Sequence, residues 1–275
     1  MVTIAMTREM GTFGKDVAQG LADSLDLKVI HSELVEHDLA ERLGVQESAV
    51  HHYLEGNASL LERWKIDKSK LSQYTAEEIL EFAQTGNVIV RGWGAVAVLR
   101  AIPHVLRVRV CAPMPFRERV IMDRLGLKDA AVARSEIEKN DAAHAKLMRG
   151  FFGVNWENPQ LYHVSLNTGS VPVDTCVRVV RLLTDDPAFA ENEASRGILA
   201  DKLIEARTHA VLKVLASGSG IGSGTNVAVT SGRVVLSGLI GPGGDLDGAI
   251  AKIRRIDGVI DVDNRIQRVA QHFGV

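Results

Sequence analysis

Along the first two-thirds of the chain, apolar residues come in short runs that alternate with four-residue steps. Residues 2–5 form an apolar run that predicts a strand, and Val17, Leu21 and Leu25 mark one buried face of a helix over 15–25. Residues 27–30 predict a second strand. "SELVEHDLAERLG" then predicts a helix opened by Ser32 as N-cap and closed at Gly44. Residues 46–84 are polar and helix-like, with Trp64 and Tyr74 as isolated aromatics. "NVIVRGWGAVAVL" (87–99) repeats the opening order of strand, glycine turn and helix. Residues 104–113 predict a strand with Arg107 and Arg109 on one face, and 116–150 a charged helical stretch. Residues 161–168 predict a last strand and 173–183 a last helix. Five strands interleaved with helices imply an α/β fold, a parallel sheet covered on both faces.

The pattern changes at "TDDPAFAENEASRG", an acidic stretch that reads as a linker over 185–198. Beyond it Leu199, Leu203, Ala206 and Ala210 predict a helix over 199–215. "TNVAVTSGRVVLSG" alternates apolar and polar residues on either side of Ser231-Gly232, the pattern of a hairpin. A helix over 246–255 and a strand through "VIDVDNRIQRV" complete a small α+β unit of order αββαβ, residues 199–271, after a first domain of residues 1–184.

Composition narrows the partners. The 275 residues are 46% hydrophobic and 24% charged with a formal net charge of −2, which excludes the concentrated basic surface of a dedicated nucleic-acid binder. Cys111 and Cys176 are too few for a disulfide framework and lack metal-ligand spacing, so buried free thiols are expected. The first residues include Arg8, Glu9, Lys15 and Asp16 and carry no leader-like apolar region, and no apolar run approaches the roughly 20 residues of a membrane span. A soluble, cytoplasmic protein without a transmembrane segment is the expectation.

The candidate chemistry lies in "EMGTFGKD" (9–16). A phosphate is held where backbone N–H groups converge at a helix N-terminus, and glycines supply the positive φ and the close approach. Arg8, Met10, Gly11, Thr12, Phe13, Gly14, Lys15 and Asp16 are therefore candidate nucleotide-binding residues, with Lys15 reaching the outer phosphates. Against the consensus G-x-x-x-x-G-K-[ST], Glu9 replaces the first glycine and Asp16 the magnesium-ligating hydroxyl. A carboxylate at a helix start gains ~0.3–1 kcal/mol from the dipole. Facing a phosphate oxygen at about 4 Å, it loses up to ~4 kcal/mol at an effective dielectric of 20. Repulsion wins unless a cation bridges the two, so ATP binding through this turn is expected to depend on Mg2+, with Asp16 as the metal-side ligand.

Five segments in this order resemble the cytidylate kinase-like family of P-loop kinases: "VTIAMTREMGTFGKDVAQGLADSL", "SELVEHDLAERLG", "NVIVRGWGAVAVLR", "VRVCAP" and "NWENPQLYHVSLNT". The resemblance spans about residues 2–184. It implies a nucleoside monophosphate kinase fold with a five-stranded parallel core, a helical substrate-binding insert and a mobile lid. By that resemblance Glu33, Arg91, Trp93 and Asp141 are candidate substrate-binding residues, and Lys15, Arg134 and Arg149 candidate catalytic ones. The chain departs from the family's "GRG" turn at Gly92-Trp93-Gly94. It also has His31 where the family has aspartate and His144 where the lid has arginine.

Residues 199–270 resemble a BON domain through "NVAVTSGRVVLSG" and "IRRIDGVIDVDNRI". That implies attachment to a protein or phospholipid partner, with Arg254 and Arg255 as the basic pair available to anionic headgroups. Two functions follow as expectations. One is ATP-dependent phosphoryl transfer to a nucleoside monophosphate such as CMP or dCMP, regulated or localised by the second domain. The other is a non-catalytic nucleotide sensor acting through it.

Overall fold

The computed structural model describes residues 1–54, 67–92, 94–219, 224–240 and 245–268, apart from the side chains at 32–35, 54, 69 and 214–219. The chain divides into two units, Met1–Asn192 and Glu193–Val275.

In the first unit, strands β1 (Thr3–Arg8), β2 (Lys28–Ile30), β3 (Val88–Arg91), β4 (Val105–Cys111) and β5 (Val164–Asn167) form one sheet in the order β2-β3-β1-β4-β5. Every pairing is parallel, and Ile4 of the central strand stands opposite Ile89 on one side and Leu106 on the other. A parallel sheet of this kind is buried on both faces, which is why β1 and β3 read as continuous apolar runs. Helices α1 (Gly14–Leu25) and α8 (Val173–Thr184) cover one face, seating Val17, Leu21 and Val180 on Ile4, Met6, Ile89 and Val108. Alternate residues such as Ala5 and Val90 point the other way and are also buried. There α4 (Lys68–Thr85) meets β3 and the short α5 (Ala95–Val98) meets β1.

Two further helices, α2 (Ser32–Leu43) and α3 (Glu47–Leu54), follow β2. Arg42 near the end of α2 reaches Glu77 at 2.6 Å and Glu78 at 2.7 Å on α4, with its guanidinium 4.2 Å from the centre of the Tyr74 ring. Ser32 is not the N-cap of α2. His31, in an extended conformation and making no side-chain cap, holds that place, and Ser32 is the first helical residue. Trp64 lies outside the described residues. The charged stretch after β4 is two helices rather than one, α6 (Met114–Leu125) and α7 (Ala130–Phe152). Gly126 ends the first at φ 66°, and the Asp129 side chain caps the second by accepting from the Ala131 N–H.

The stretch read as a linker contains a 3-10 turn, Pro187–Phe189, and the start of helix α9 (Glu193–Ser219), which begins six residues earlier than its apolar stripe indicates. In the second unit β6 (Thr225–Thr230) pairs antiparallel with β7 (Arg233–Ile240), and β8 (Asp261–Arg268) pairs parallel with β7. Ser231 and Gly232 both take positive φ, 49° and 73°, which fits the tight right-twisted hairpin turn. Helix α10 (Leu246–Ile253) and α9 bury Ile204, Leu212, Ala249 and Ile253 against Val234, Leu236 and Val262. Among the described residues no helix is long and apolar enough to cross a membrane.

Candidate functional site

The chain leaves β1 at Arg8 and enters α1 at Gly14 through a turn set by two left-handed residues, Gly11 at φ 80° and Phe13 at φ 52°. A Cβ on Gly11 would lie 2.9 Å from the Arg117 carbonyl oxygen, so α6 admits only glycine there. A Cβ on Gly14 would lie 2.6 Å from the Arg8 Cβ, so the arginine stem crosses directly over the helix start. Phe13 is unusual: an aromatic in the left-handed region costs of order 1–3 kcal/mol. It is held by an edge-on contact with Phe116 of α6, the ring centres 5.7 Å apart.

The turn is closed by its own hydroxyl and braced from outside. Thr12 Oγ1 donates to the Glu9 carbonyl at 2.7 Å, and Thr168 Oγ1 donates to the Thr12 carbonyl at 2.7 Å. No side chain caps α1. Among the described residues no oxygen accepts from the N–H groups of Gly11 through Asp16. Consecutive unengaged amides at a helix start make an anion seat.

Glu9, where the consensus has glycine, turns away from that seat. Its carboxylate is buried and accepts from Arg109 Nη2 at 2.6 Å and from the Ala112 N–H at 3.3 Å. Arg109 in turn lies against the rings of Trp156 (5.2 Å) and Tyr162 (5.7 Å). The Arg107 guanidinium instead donates to the carbonyls of Leu161 and Arg100, so this arginine is structural. Burial is the largest single influence on Arg109, working against its charge, but the Glu9 hydrogen bond and the Glu9 charge, with smaller help from Tyr162 and Cys111, together outweigh it and the pKa is raised.

Beside the turn lies a cleft of about 670 Å³ lined by Lys15, Asp16, His31, His37, Glu47 and Arg91 among others. Arg91, buried at the end of β3, points Nη2 at His31 Nδ1, 2.8 Å away. Because a guanidinium only donates, Nδ1 is the acceptor and any imidazole proton sits on Nε2. His37 and Glu47 bridge α2 and α3 at 3.2 Å, and that carboxylate raises the His37 pKa. Lys15 and Asp16 are exposed at the rim. Among the described residues no three His, Cys, Asp or Glu side chains cluster as a metal cage. Mg2+ beside phosphates needs only one or two carboxylates, the rest of its shell being phosphate oxygens and water, and Asp16 fits that demand.

The sequence candidates divide accordingly. The turn residues, Lys15, Asp16 and Arg91 come together. Glu33 lies on α2 with its side chain outside the described set, and Trp93 lies outside it altogether, between Gly92 (φ 119°) and Gly94 (φ 80°). Asp141 does not line the cleft; Arg117 holds it bidentately at 2.7 and 2.9 Å. Arg134 is paired with Glu118 of α6, and the Arg149 Nε faces the Ala145 carbonyl of its own helix at 3.4 Å. The two are separated by 15 positions, about 22 Å along α7, so they do not converge on one phosphoryl group from a straight helix. His144, at the middle of α7, stacks on Trp156 with ring centres 4.4 Å apart. Burial, then the charges of Arg8 and Arg109, push its pKa down to about 4. His144, standing where the resemblance implies an arginine, therefore carries a neutral ring. Sequence reasoning placed Arg107 and Arg109 on one strand face, either lining the site or reaching its exposed edge, without pairing Arg109 to Glu9, and it missed Arg117. For Arg109 the available signal was an arginine inside a strand otherwise apolar enough to be buried on both faces; Arg117 lies in the charged helix α6, whose pattern carries no such signal.

A parallel sheet in this strand order, with a glycine-bearing turn running from the central strand into an uncapped helix, defines a kinase-like nucleotide-binding fold. The pattern of the cytidylate kinase-like family matches residues 3–170. The chain belongs to the cytidylate kinase-like family. A cytidylate kinase of Pyrobaculum neutrophilum is 24% identical over 182 residues, covering 65% of this chain and 90% of that protein. A cytidylate kinase of Pyrobaculum calidifontis is 25% identical with the same coverage. Among solved structures, an uncharacterized protein from Eubacterium ventriosum superposes with a TM-score of 0.54 at 18% identity, covering 68% of this chain and 99% of the other.

Proposed function

We propose that the first unit transfers the terminal phosphoryl group of Mg2+-bound ATP to a nucleoside monophosphate such as CMP or dCMP. The observation that carries this is the row of unengaged amides from Gly11 to Asp16 opening beside the cleft that holds Arg91 and His31. Phosphoryl transfer asks little covalent chemistry of a protein; it asks for positioning and for positive charge around the moving group. In this reading Met10 to Asp16 cradle the donor phosphates and Lys15 meets the charge that develops on the β/γ bridge. Asp16 holds the cation, and Arg91 meets the acceptor phosphate. An acceptor phosphate oxygen attacks the γ phosphorus, the bond to the bridging oxygen breaks, and ADP leaves with that electron pair. Glu33 and Trp93 remain candidates for the acceptor's sugar and base, and one of Arg134 and Arg149, which are too far apart on α7 to meet the same phosphoryl group, for charge brought in when that helix moves. The αββαβ unit, through its resemblance to a BON domain, localises or regulates the first by meeting a protein or phospholipid partner.

A specific observation favours a second reading, a nucleotide sensor without transfer: the neutral His144 on the lid helix. One assay decides between them. Wild type and Lys15→Ala are incubated with radiolabelled ATP, Mg2+ and each monophosphate in turn. Label appearing in CDP or dCDP, and falling at least 100-fold in Lys15→Ala, supports the kinase. Tight ATP binding with no labelled diphosphate supports the sensor.

A further inference from the structure

Arg117 is 6% exposed in its side chain, and its guanidinium bonds to the turn and to α7. Its Nε donates to the Met10 carbonyl at 2.7 Å, and its two terminal nitrogens grip both oxygens of Asp141 at 2.9 and 2.7 Å. Nη1 also lies 3.5 Å from Glu9 Oε2, and the backbone of Arg117 closes over Gly11. One guanidinium thus spans the residue before the turn, a carbonyl inside it, and the middle of the lid helix. A carbonyl lone pair pointing into an anion seat would repel a phosphate, whereas one tied to a guanidinium is drawn outward and its charge offset.

We propose that Arg117 and Asp141 are positioning residues: Arg117 holds the Met10 carbonyl out of the phosphate seat, and Asp141 fixes Arg117 so that displacement of α7 is felt at the turn. The proposal deepens the kinase reading and rests on it for its functional meaning, yet the geometry it asserts exists without nucleotide. Asp141 accordingly acts through Arg117 instead of touching substrate. The geometry is bidentate, so lysine retains the charge and loses the grip.

The test is nuclear magnetic resonance on the full chain, with 15N labels, for wild type, Asp141→Asn, Arg117→Lys and the control Glu138→Gln. Glu138 is exposed on the same helix. In the absence of nucleotide, the amide signals of Gly11, Thr12 and Gly14 are expected to shift and to lose heteronuclear NOE intensity in Asp141→Asn and Arg117→Lys. Those of Ile4, Ile89 and Leu106 in the sheet stay fixed, and Glu138→Gln matches wild type. Unchanged turn signals in both variants would overturn the proposal, as would loss of dispersion throughout the first unit, which marks Arg117 as a general fold support. A parallel titration with Mg2+-ATP is expected to show at least tenfold weaker binding in Asp141→Asn. Wild type that binds no ATP would count against the kinase reading, while the nucleotide-free spectra still decide the positioning roles.

Discussion

At the scale of single residues, the burial of His144 has a measurable consequence. Its folded-state pKa lies near 4 against an ordinary 6.5, so between those values the unfolded chain takes up a proton that the folded chain refuses. Stability is therefore full above about pH 6.5 and falls as the pH drops toward 4. A shift of this size corresponds to about 3 kcal/mol across the window. Urea midpoints at pH 7 and pH 5 should separate widely in wild type and much less in His144→Phe, whose ring can still stack on Trp156; equal separations would contradict the assignment. Gly14→Ala makes a different demand. Its methyl would meet Arg8 at the helix start, so ATP affinity should fall at least tenfold while the thermal midpoint moves by only a few degrees. Residues of this kind were half legible in the chain. The spacing of Gly11, Gly14 and Lys15 announces the tight glycine turn from β1 into α1 that the fold contains, because few backbone conformations close such a turn. That Glu9 would fold outward onto Arg109 was not legible. The partner lies 100 positions away, and nothing local distinguishes a buried carboxylate with a guanidinium from an exposed one.

Among the elements, the strands and α1 followed from periodicity, since a parallel strand buried on both faces has to be uniformly apolar. Helix ends were less legible. Ser32 has the chemistry of an N-cap, but the extended residue before the helix is His31, whose ring is engaged with Arg91 in the cleft. The break between α6 and α7 is marked by Gly126 and Asp129, a stop and a start inside a stretch whose charge pattern alone looks continuous. Replacing Asp129 with alanine should cost about 1 kcal/mol by removing that cap, read as a shift in the urea midpoint. The walls of the cleft depend on a longer link. Arg42 fastens α2 to α4 by holding two neighbouring carboxylates that are mostly buried. Burial already pushes the Glu78 pKa up, against the pull of Arg42. Arg42→Ala should destabilise the first unit by about 2 kcal/mol, since it strands two acids, and the loss should shrink at low pH as they protonate. A loss independent of pH would assign the effect to packing on Tyr74.

For the molecule as a whole, the division after Asn192 is matched by hydrophobic clusters among the described residues, each of which stays within one unit. Fragments 1–192 and 193–275 should each give dispersed amide spectra, and ATP binding should remain with the first; its loss there would make the second unit part of the nucleotide site. The second unit has a tie that sequence pattern does not show. The Asp201 carboxylate on α9 accepts from the N–H groups of Ser231 and Gly232 at the hairpin turn. The αββαβ order was readable because its turns announce themselves. Its start was not, because α9 opens with "EASRG", before the apolar stripe begins.

In the proposed function the turn from Met10 to Asp16 is a phosphate seat made usable by a cation. Isothermal titration of the full chain with a non-hydrolysable ATP analogue, with Mg2+ and with chelator, tests it most directly. One-to-one binding is expected with Mg2+, at least tenfold weaker binding in chelator, and loss of the Mg2+ advantage in Asp16→Ala. Absence of heat with any nucleoside triphosphate in either condition would contradict it.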